Sequence, residues 1–570
     1  MRASVISTDR AQCRDCYRCV RNCHVKAVRV QAQQAEVVAE RCIACGRCVL
    51  ECPQQAKRVR DDLPTVKAMI AAGRRVVASV APSAPAFFHS RSFSEIRSVL
   101  QRLGFVDAAE TAVGAEIVGR EYGRLLSSLP PDAQPIIATA CPAVVSLVEV
   151  YYPDLIPQLA PVVSPMVAHA RMLKAAAEDD IRVVFIGPCV AKKREMTDDE
   201  VAGSVDAALS FVELSDWMAE TGLVIRCRPA SEDGEQLTAR LFPVEGGLLR
   251  TARLTTDVLA TEVLAASGLD NCEEILNAMR AGEIHARIVE LMTCQGGCVN
   301  GPRMPKGEST YARREWIINF ARQPEASIPD GPVSVDLRRG FSDRGLRLAA
   351  IPDEAIREVL ARIEKYTPKD ELNCSACGYN SCRAKAEATY RGMAEEGMCV
   401  PFMRSRAESL ANVVMDVVPS AVIVVDSSLA IQEVSPSAER LLGSAKPALL
   451  GRHLSDFVPV GTFADVRATG QSVLGRKTQY RDDLVVREFV VPVEHSSFIV
   501  GIVEDVTRDE QHQHELDRIR TATIRQAQEV IDKQIRVAHE IASLLGETTA
   551  ETKVQLTRMI GVINEAGRTT

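Results

Sequence analysis

Eight of the 18 cysteines in this 570-residue chain stand in two short runs with identical spacing. The runs read "CRDCYRCVRNC" and "CIACGRCVLEC", and each follows the pattern C-x2-C-x2-C-x3-C. Three thiolates this close bind three corners of one 4Fe–4S cube, while the fourth reaches across to a second cube. The runs therefore predict two clusters, with the ligands Cys13, Cys16, Cys19 and Cys52 for the first, and Cys42, Cys45, Cys48 and Cys23 for the second.

This spacing is that of two-cluster bacterial ferredoxins, and it predicts a ferredoxin-like domain over residues 1–61. Pro53 follows the second run as usual, whereas His24 replaces the proline of the first run. Structural zinc is the alternative, because zinc also takes cysteine ligands. Zinc sites use paired CxxC units, so the third cysteine of each run favours iron.

Composition limits the class of protein further. The length predicts about four domains at roughly 150 residues each. The net charge of −7 is spread along the chain, so no basic patch indicates nucleic-acid binding. The sequence contains no run of about 18 uncharged apolar residues, so we expect no membrane span. The N-terminal "MRASVISTDR" lacks the apolar core of a signal peptide. We therefore expect a cytoplasmic protein whose cysteines bind metal and do not form disulfides.

Four further cysteines are dispersed, but each lies after an apolar run typical of a strand. The runs are "QPIIATA", "RVVFIG" and "ARIVELM", and the cysteines that follow them are Cys141, Cys189, Cys294 and Cys298. Helical patterns lie between the runs, so we expect α/β layers with ligands at the carboxyl ends of the strands. Buried structural cysteines are the alternative. The stretch "CQGGCVNG" favours a site, because glycine permits close backbone approach, and a side chain at Gly296 or Gly297 would intrude.

These segments resemble the three short motifs of the catalytic domain of FeFe hydrogenases, and the resemblance predicts such a domain over residues 62–340. It implies an H-cluster, in which a 4Fe–4S cube is joined to a two-iron centre that carries carbon monoxide, cyanide and a bridging azadithiolate. The implied ligands of the cube are Cys141, Cys189, Cys294 and Cys298, the last of which bridges to the two-iron centre. Lys192 matches the lysine that hydrogen-bonds a cyanide, and Met292 matches a methionine that lines the pocket.

The chain also departs from the motifs of active hydrogenases. Their first motif has two adjacent cysteines, of which the first relays protons, and Ala140 stands at that position in this chain. Their second motif reads Met-Pro-Cys, and this chain has "GPC" ending at Cys189. Glu116 and Glu121, in "GAEIVGREYGRLL", are candidates for a glutamate relay. Because alanine cannot carry a proton, we expect dihydrogen to be bound and turned over slowly.

A third group of cysteines has the pattern C-x2-C-x4-C-x16-C and resembles a small four-cysteine cluster domain of redox proteins. It predicts one further 4Fe–4S cluster in residues 341–405, with the ligands Cys374, Cys377, Cys382 and Cys399. Zinc is again the alternative. The two remaining cysteines, Cys227 and Cys272, are expected to be ordinary core thiols.

The cysteines stop before the last predicted domains. Residues 406–507 alternate apolar strands, polar turns and a short helix, and they resemble a PAS domain in which Ser435 stands where asparagine is frequent. His453 and His495 do not form a haem or flavin signature. Residues 508–570 predict amphipathic coiled helices, the first of which runs over residues 508–545 and ends at Gly546.

Taken together, the fold class is multidomain α/β and α+β. The order of domains resembles the sensory group of FeFe hydrogenases. That resemblance implies dihydrogen as the ligand, a redox partner, a kinase or phosphatase as the output partner, and a homodimer formed through PAS and the C-terminal helices. Two alternatives remain open for the whole protein: a metabolic hydrogenase that exchanges electrons with soluble carriers, and an iron–sulfur redox sensor without the two-iron centre. For the PAS domain, the alternative is a fold that acts only as a dimer contact.

Overall fold

The structure of the chain is a computed structural model that describes residues 4–130, 132–225, 237–257, 259–323, 335–494, 496–545 and 550–565. The chain divides into two compact units, Met1–Met403 and Arg404–Thr570. Among the described helices, none is both long enough and apolar enough to cross a bilayer.

The N-terminal domain consists of two small antiparallel sheets around the cysteine runs. Its strands are β1 (Ile6–Thr8), β2 (Val28–Gln31), β3 (Gln34–Val37) and β4 (Lys57–Val59), and its helices are α1 (Arg18–Arg21) and α2 (Arg47–Glu51). Strand β1 pairs with β4, and β2 pairs with β3. Ala32 and Gln33 have φ of 49° and 58°, the left-handed conformation that a two-residue hairpin turn requires.

The α/β domain that follows contains two parallel sheets. Its strands are β5 (Arg75–Val80), β6 (Asp107–Glu110), β7 (Ile136–Ile137), β8 (Ile181–Gly187), β9 (Ala207–Ser210), β10 (Val263–Ser267) and β11 (Ile288–Met292). One sheet has the order β6-β5-β8-β9, and the other has the order β10-β11-β7. All of their pairings are parallel, which confirms the predicted α/β layers. Strands β8 and β11 are apolar along nearly their whole length because both faces are covered.

Helices connect these strands and cover the sheets. They are α3 (Leu63–Ala71), α4 (Ala84–Phe88), α5 (Phe93–Arg102), α6 (Ala112–Ser128), α7 (Pro142–Tyr151), α8 (Pro165–Ala176), α9 (Val190–Glu195), α10 (Phe211–Glu220), α11 (Gly247–Thr251), α12 (Leu269–Ala281) and α13 (Thr310–Ala321). Helices α7 and α9 begin directly after Cys141 and Cys189, each of which occupies the N-cap position of its helix.

The first unit ends with a small helical domain. Residues 335–345, which we call the strap, lead into it without forming a helix. The helices are α14 (Asp353–Arg362), α15 (Cys382–Tyr390) and α16 (Val400–Val417), the last of which contains the boundary between the two units. Ile356, Val359 and Leu360 of α14 pack with Ala386 of α15 in a separate apolar core.

The second unit contains a five-stranded antiparallel sheet of order β13-β12-β16-β15-β14. The strands are β12 (Ala421–Val425), β13 (Ile431–Val434), β14 (Val473–Arg481), β15 (Leu484–Pro492) and β16 (Ile499–Asp505), and the helices are α17 (Pro436–Leu442), α18 (Lys446–Leu449) and α19 (Gly461–Thr469). Ser435 caps α17, and its Oγ also accepts a hydrogen bond of 2.9 Å from Val422 N. The buried ring of Phe463 lies against Gly501, where a Cβ would be 2.1 Å from the ring.

Two long helices complete the chain, α20 (Thr507–Leu545) and α21 (Ala550–Glu565). The predicted start of the first helix therefore differs by one residue from the observed start. Its predicted stop, Gly546, lies outside the described residues, as does His495 of the PAS domain. Leu516, Ile519 and Val530 are exposed on α20.

Candidate functional site

The carboxyl ends of strands from both parallel sheets meet at one cavity of ≈ 100 Å³. Cys141 follows β7, Cys189 follows β8, and Cys294 and Cys298 follow β11. All four cysteines line the cavity, although they come from two different sheets. The structure therefore brings together the four dispersed cysteines that the sequence predicts as a set.

The electrostatics of Cys189, Cys294 and Cys298 indicate what can occupy the cavity. Burial raises the pKa of Cys189 to about 11, and it raises the pKa values of Cys294 and Cys298 further. The charges of neighbouring cysteines add to this effect, because each thiolate disfavours the next. Only deprotonated thiolates bind metal, so bound cations must compensate several negative charges in an apolar site. An iron–sulfur cube supplies those cations, and the four sulfur donors fit it.

Lys192, Met292 and Ala140 line the same cavity. Lys192 Nζ donates a hydrogen bond of 2.9 Å to Glu195 Oε2 and one of 3.4 Å to the carbonyl of Ala140. An ammonium group has three N–H donors, so one remains for an anionic ligand in the cavity. The donor set and the available ammonium group fit an H-cluster, whose cyanide ligands carry negative charge.

The glycines of the loop after β11 have a definite conformational role. Gly296 and Gly297 have φ of 77° and 96°, and a Cβ on Gly297 would lie 2.3 Å from the carbonyl oxygen of Pro243. The prediction that a side chain would intrude at this position is therefore confirmed. The group it would meet is backbone of a neighbouring segment, which approaches this loop closely enough for Val244 and Gly297 to form an isolated antiparallel bridge.

Glu290 is a residue of the cavity that sequence reasoning missed. It lies inside β11, is 2% exposed and lines the cavity. Burial raises the pKa of Glu290 to about 7, while bonds from the backbone N–H groups of Leu248 and Leu249 partly oppose this rise. The signal was a single carboxylate in the apolar run "ARIVELM". The exposed Glu245 lies close enough for its charge to raise the pKa of Glu290 as well.

The two glutamates predicted as relay candidates lie elsewhere. Glu116 is buried on α6 and pairs with Arg120 at 3.2 Å, and Glu121 pairs with Arg124 at 3.4 Å. Neither is among the described residues that line the cavity. Among the described residues, Glu290 is the carboxylate that lines the cavity, and the relay role of Glu116 and Glu121 stays a prediction.

Contacts in the N-terminal domain show which cysteines of the two runs lie near each other. Gln54 Oε1 lies 3.6 Å from Cys16 Sγ and 4.0 Å from Cys52 Sγ, so Cys52 is close to the first run. Burial, together with the charge of the nearby Cys42, raises the pKa of Cys23 to about 11. Cys52 thus lies near the first run and Cys23 near the second, which is compatible with the predicted exchange of the fourth ligand between two cubes.

The second of these sites lies against the cavity. Cys45 is one of the residues that line it, and a Cβ on the adjacent Gly46 would lie 2.6 Å from the Pro302 side chain. His24, which replaces the usual proline, makes two contacts that a proline could not make. Its ring lies 2.8 Å from the Arg47 side chain and 3.2 Å from the carboxylate of Asp270 on α12. These contacts dock the N-terminal domain on the α/β domain.

The third cysteine group also comes together. Cys374, Cys377, Cys382 and Cys399 line a smaller cavity of ≈ 20 Å³. Among the described residues, no three His, Cys, Asp or Glu side chains are close enough to hold a single metal ion. Ligands of a cube bind different iron atoms, so they do not have to meet at one point.

The small domain that carries this group packs on the N-terminal domain. Val30 N donates to the carbonyl of Met393 at 3.0 Å, and Arg21 Nη1 donates to that of Ala376 at 3.2 Å. Of the two remaining cysteines, Cys272 is buried and its Sγ lies 3.5 Å from Met292 O, whereas Cys227 lies outside the described residues.

Four segments of the chain match known protein families. Residues 74–302 match the iron only hydrogenase large subunit, C-terminal domain. Residues 5–53 match the 4Fe-4S dicluster domain, residues 370–401 match an Fe-S cluster family, and residues 410–515 match the PAS fold.

Curated relatives share about a quarter of the aligned residues. The chain is 25% identical over 258 residues to the periplasmic [Fe] hydrogenase large subunit of Nitratidesulfovibrio vulgaris, which covers 36% of this chain and 61% of the relative. It is 26% identical over 312 residues to the NADP-reducing hydrogenase subunit HndD of Solidesulfovibrio fructosivorans, covering 44% and 53%. It is 23% identical over 292 residues to the probable cytosolic Fe-S cluster assembly factor oxy-4 of Caenorhabditis elegans, covering 42% and 63%. The chain thus spans less than two thirds of each relative's length.

Solved structures align with separate parts of the chain. A variant of the [FeFe]-hydrogenase HydA1 from Chlamydomonas reinhardtii aligns with 50% of this chain and 100% of its own, at 19% identity and a TM-score of 0.39. A PAS domain from a two-component sensor histidine kinase aligns with 18% of this chain and 98% of its own, at 15% identity and a TM-score of 0.16.

The chain is a multidomain iron–sulfur protein of the hydrogenase-related class. Its α/β domain is similar to the iron-only hydrogenase large-subunit family, and this similarity is combined in one chain with matches to a 4Fe-4S dicluster domain, a further Fe-S domain and a PAS domain.

Proposed function

We propose that this protein senses dihydrogen, which it binds and slowly oxidises at an H-cluster held by Cys141, Cys189, Cys294 and Cys298. The observation that carries the proposal is the single cavity that collects these four cysteines together with Lys192. The bound H-cluster supplies the cleavage of dihydrogen into two protons and two electrons. The apolar side chains of Met292 and Ala140 line the cavity. An apolar lining excludes water and favours the binding of a small nonpolar gas.

Slow turnover follows from the proton-carrying groups at the cavity. Ala140 occupies the position of the relay cysteine and has no proton to exchange. Glu290 does carry a carboxyl group at the cavity wall, and a pKa of about 7 suits proton exchange near neutral pH. Glu290 Oε1 and Oε2 also accept the N–H groups of Leu248 and Leu249, so this carboxyl group is held in place. A carboxyl group tethered in this way supports turnover that is slower than a cysteine-based relay allows.

Electrons leave by way of the N-terminal domain in this proposal. Cys45 lines the cavity, which makes the site of Cys42, Cys45, Cys48 and Cys23 the neighbour of the H-cluster site. The domain of the third cysteine group packs on the same N-terminal domain through Val30 and Arg21. The four cluster sites therefore lie in domains that contact one another, and electrons pass between them in this proposal.

The output is proposed to be the PAS domain and the helices after it. The redox state of the clusters biases this region, which then acts on a kinase or phosphatase partner in a cytoplasmic homodimer. The exposed apolar residues of α20, such as Leu516 and Ile519, support a helical dimer contact. A signal of this kind needs two states of the output region with different affinity for the partner.

A second candidate has specific support. A relative that is 23% identical to this chain is named as a probable cytosolic Fe-S cluster assembly factor and not as a hydrogenase. The second candidate is therefore an iron–sulfur redox sensor without the two-iron centre. A metabolic hydrogenase, in contrast, gains no support from Ala140 or from the PAS domain.

Exposure to dihydrogen tests the sensor proposal. Matured, oxidised protein is placed under dihydrogen without other reductants, and electron paramagnetic resonance follows reduced iron–sulfur clusters over time. The proposal predicts that the clusters become reduced under dihydrogen and remain oxidised under argon. Clusters that stay oxidised under dihydrogen, but accept electrons from dithionite, would support the second candidate.

A further inference from the structure

The strap, residues 335–345, lies beyond the hydrogenase-family segment that ends at residue 302, yet it packs deep in the α/β domain. Val163 N donates to the carbonyl of Leu337 at 2.8 Å, and Arg339 N donates to that of Pro161 at 3.2 Å. Val162 and Arg338 form an isolated antiparallel bridge between these bonds. The strap therefore has a fixed register, which determines where the side chain of Arg339 lies.

Arg339 brings a guanidinium group into the interior, where its side chain is 1% exposed. Nη1 donates to Glu195 Oε1 at 2.7 Å, and Nη2 donates to Asp198 Oδ2 at 3.0 Å. The guanidinium carbon lies 5.3 Å from the centre of the Phe341 ring. Two charge-assisted hydrogen bonds on different nitrogens fix the orientation of the guanidinium plane.

Glu195 connects Arg339 to the candidate active site. Its Oε1 accepts from Arg339, and its Oε2 accepts from Lys192 Nζ at 2.9 Å and from Ser164 Oγ at 3.0 Å. The side chain of Glu195 is fully buried, so its charge is shared between two cations and not with solvent. The position of the Lys192 ammonium group at the cavity therefore depends on a carboxylate that Arg339 holds from the other side.

We propose that Arg339 is a positioning residue, which acts through Glu195 to set the direction and hydrogen-bonding strength of Lys192 at the cavity. Without Arg339, the full charge of Glu195 falls on Lys192 and Ser164. The ammonium group is then drawn toward Glu195, and its third N–H donates less strongly into the cavity. This inference rests on the proposed function, because Lys192 is the residue expected to hydrogen-bond a cyanide of the two-iron centre.

The substitution Arg339→Gln tests the inference, and Arg338→Gln is the matched control. Arg338 is the neighbouring residue of the same strap, but its side chain is 87% exposed and pairs with Asp336 at 2.9 Å. Wild type and both variants are matured with the proteins that build the two-iron unit, and their infrared spectra are recorded. Iron content and circular dichroism report whether each variant folds and holds its clusters.

We expect the cyanide bands of Arg339→Gln to shift from the wild-type positions, while those of Arg338→Gln coincide with wild type. Arg339→Lys restores a cation beside Glu195 and is expected to move the bands back toward wild type. If Arg339→Gln fails to fold, Asp198→Asn gives the deciding comparison, because it loosens the guanidinium group without removing it, and a smaller shift is expected.

Cyanide bands that stay at the wild-type positions in the folded Arg339→Gln variant, or in Asp198→Asn where it is used, would overturn the inference and leave the proposed function intact. Wild-type protein that is loaded with iron but has no cyanide bands would overturn both.

Discussion

Glu290 offers the sharpest prediction about the chemistry of the cavity, since it is a carboxyl group in the cavity lining and its pKa lies near neutrality. An exposed glutamate with a pKa of 4.5 is protonated in about one molecule in 300 at pH 7. Burial raises the pKa of Glu290 to about 7, so about half of the molecules carry this proton at pH 7. We predict a carboxylic-acid C=O band that disappears with a midpoint near pH 7.

Infrared difference spectroscopy measures this titration directly. Spectra of wild type and Glu290→Gln are recorded between pH 5 and pH 9, and the band of Glu290 is the one that the variant lacks. Glu116→Gln is the control, because Glu116 is also buried but pairs with Arg120 outside the cavity lining. A wild-type band that is absent at pH 6, or that Glu290→Gln retains, would refute the assignment.

The same shift has a consequence for stability, and its sign is fixed. The folded-state pKa of Glu290 lies above the unfolded value, so the folded protein retains a proton that the unfolded chain has lost. The contribution is fully present below pH 4.5 and is lost as the pH rises through about 7. The rise of the pKa from 4.5 to about 7 corresponds to about 3 kcal/mol of stability, at 1.36 kcal/mol per pKa unit. Denaturant unfolding should therefore show wild type losing about this much relative to Glu290→Gln across that range.

Three further predictions follow from other parts of the site. Ala140→Cys restores a proton carrier and should raise dihydrogen turnover by about 10²–10⁴-fold, as measured with an artificial electron acceptor; an unchanged rate would count against the relay argument. Gly297→Ala should lower cluster loading and thermal stability, because its Cβ would lie 2.3 Å from Pro243 O, whereas the control Gly307→Ala also has positive φ but meets no atom within 4 Å; equal losses in both variants would contradict this reason. Cys23→Ser should alter the paramagnetic signal of the cluster bound by the second run and leave that of the Cys13 cluster unchanged, and the opposite pattern would contradict the exchange of fourth ligands between the runs.

The cluster sites of the N-terminal domain were predictable because their geometry is local. A cube binds three cysteines within seven residues, so spacing alone constrains the ligand set, and only the exchange of the fourth ligand needs tertiary contact. The helix over residues 508–545 could also be predicted from the sequence, since a long amphipathic pattern indicates a helix whatever the helix packs against. It is observed as Thr507–Leu545.

The polar groups around the candidate active site depend on contacts that no local pattern contains. Glu290 accepts a hydrogen bond from the N–H group of Leu249, which is 41 residues away in sequence. Arg339 donates a hydrogen bond to Glu195, which is 144 residues away. From sequence alone, a carboxylate inside an apolar run or an arginine in a loop is predicted to be exposed to solvent, because charged residues are rarely buried without a partner. Glu116 and Glu121 were candidates because of the sequence stretch in which they lie. A position in sequence does not fix how far a side chain lies from a cavity, and neither residue is in the described lining.

The infrared spectrum of protein matured with the factors that assemble the two-iron unit tests the central claim most directly. Bands of carbon monoxide and cyanide bound to iron are predicted, together with full iron loading of the four cluster sites. A preparation with all its iron–sulfur clusters but no such bands, or one that contains zinc in place of iron, would contradict the account.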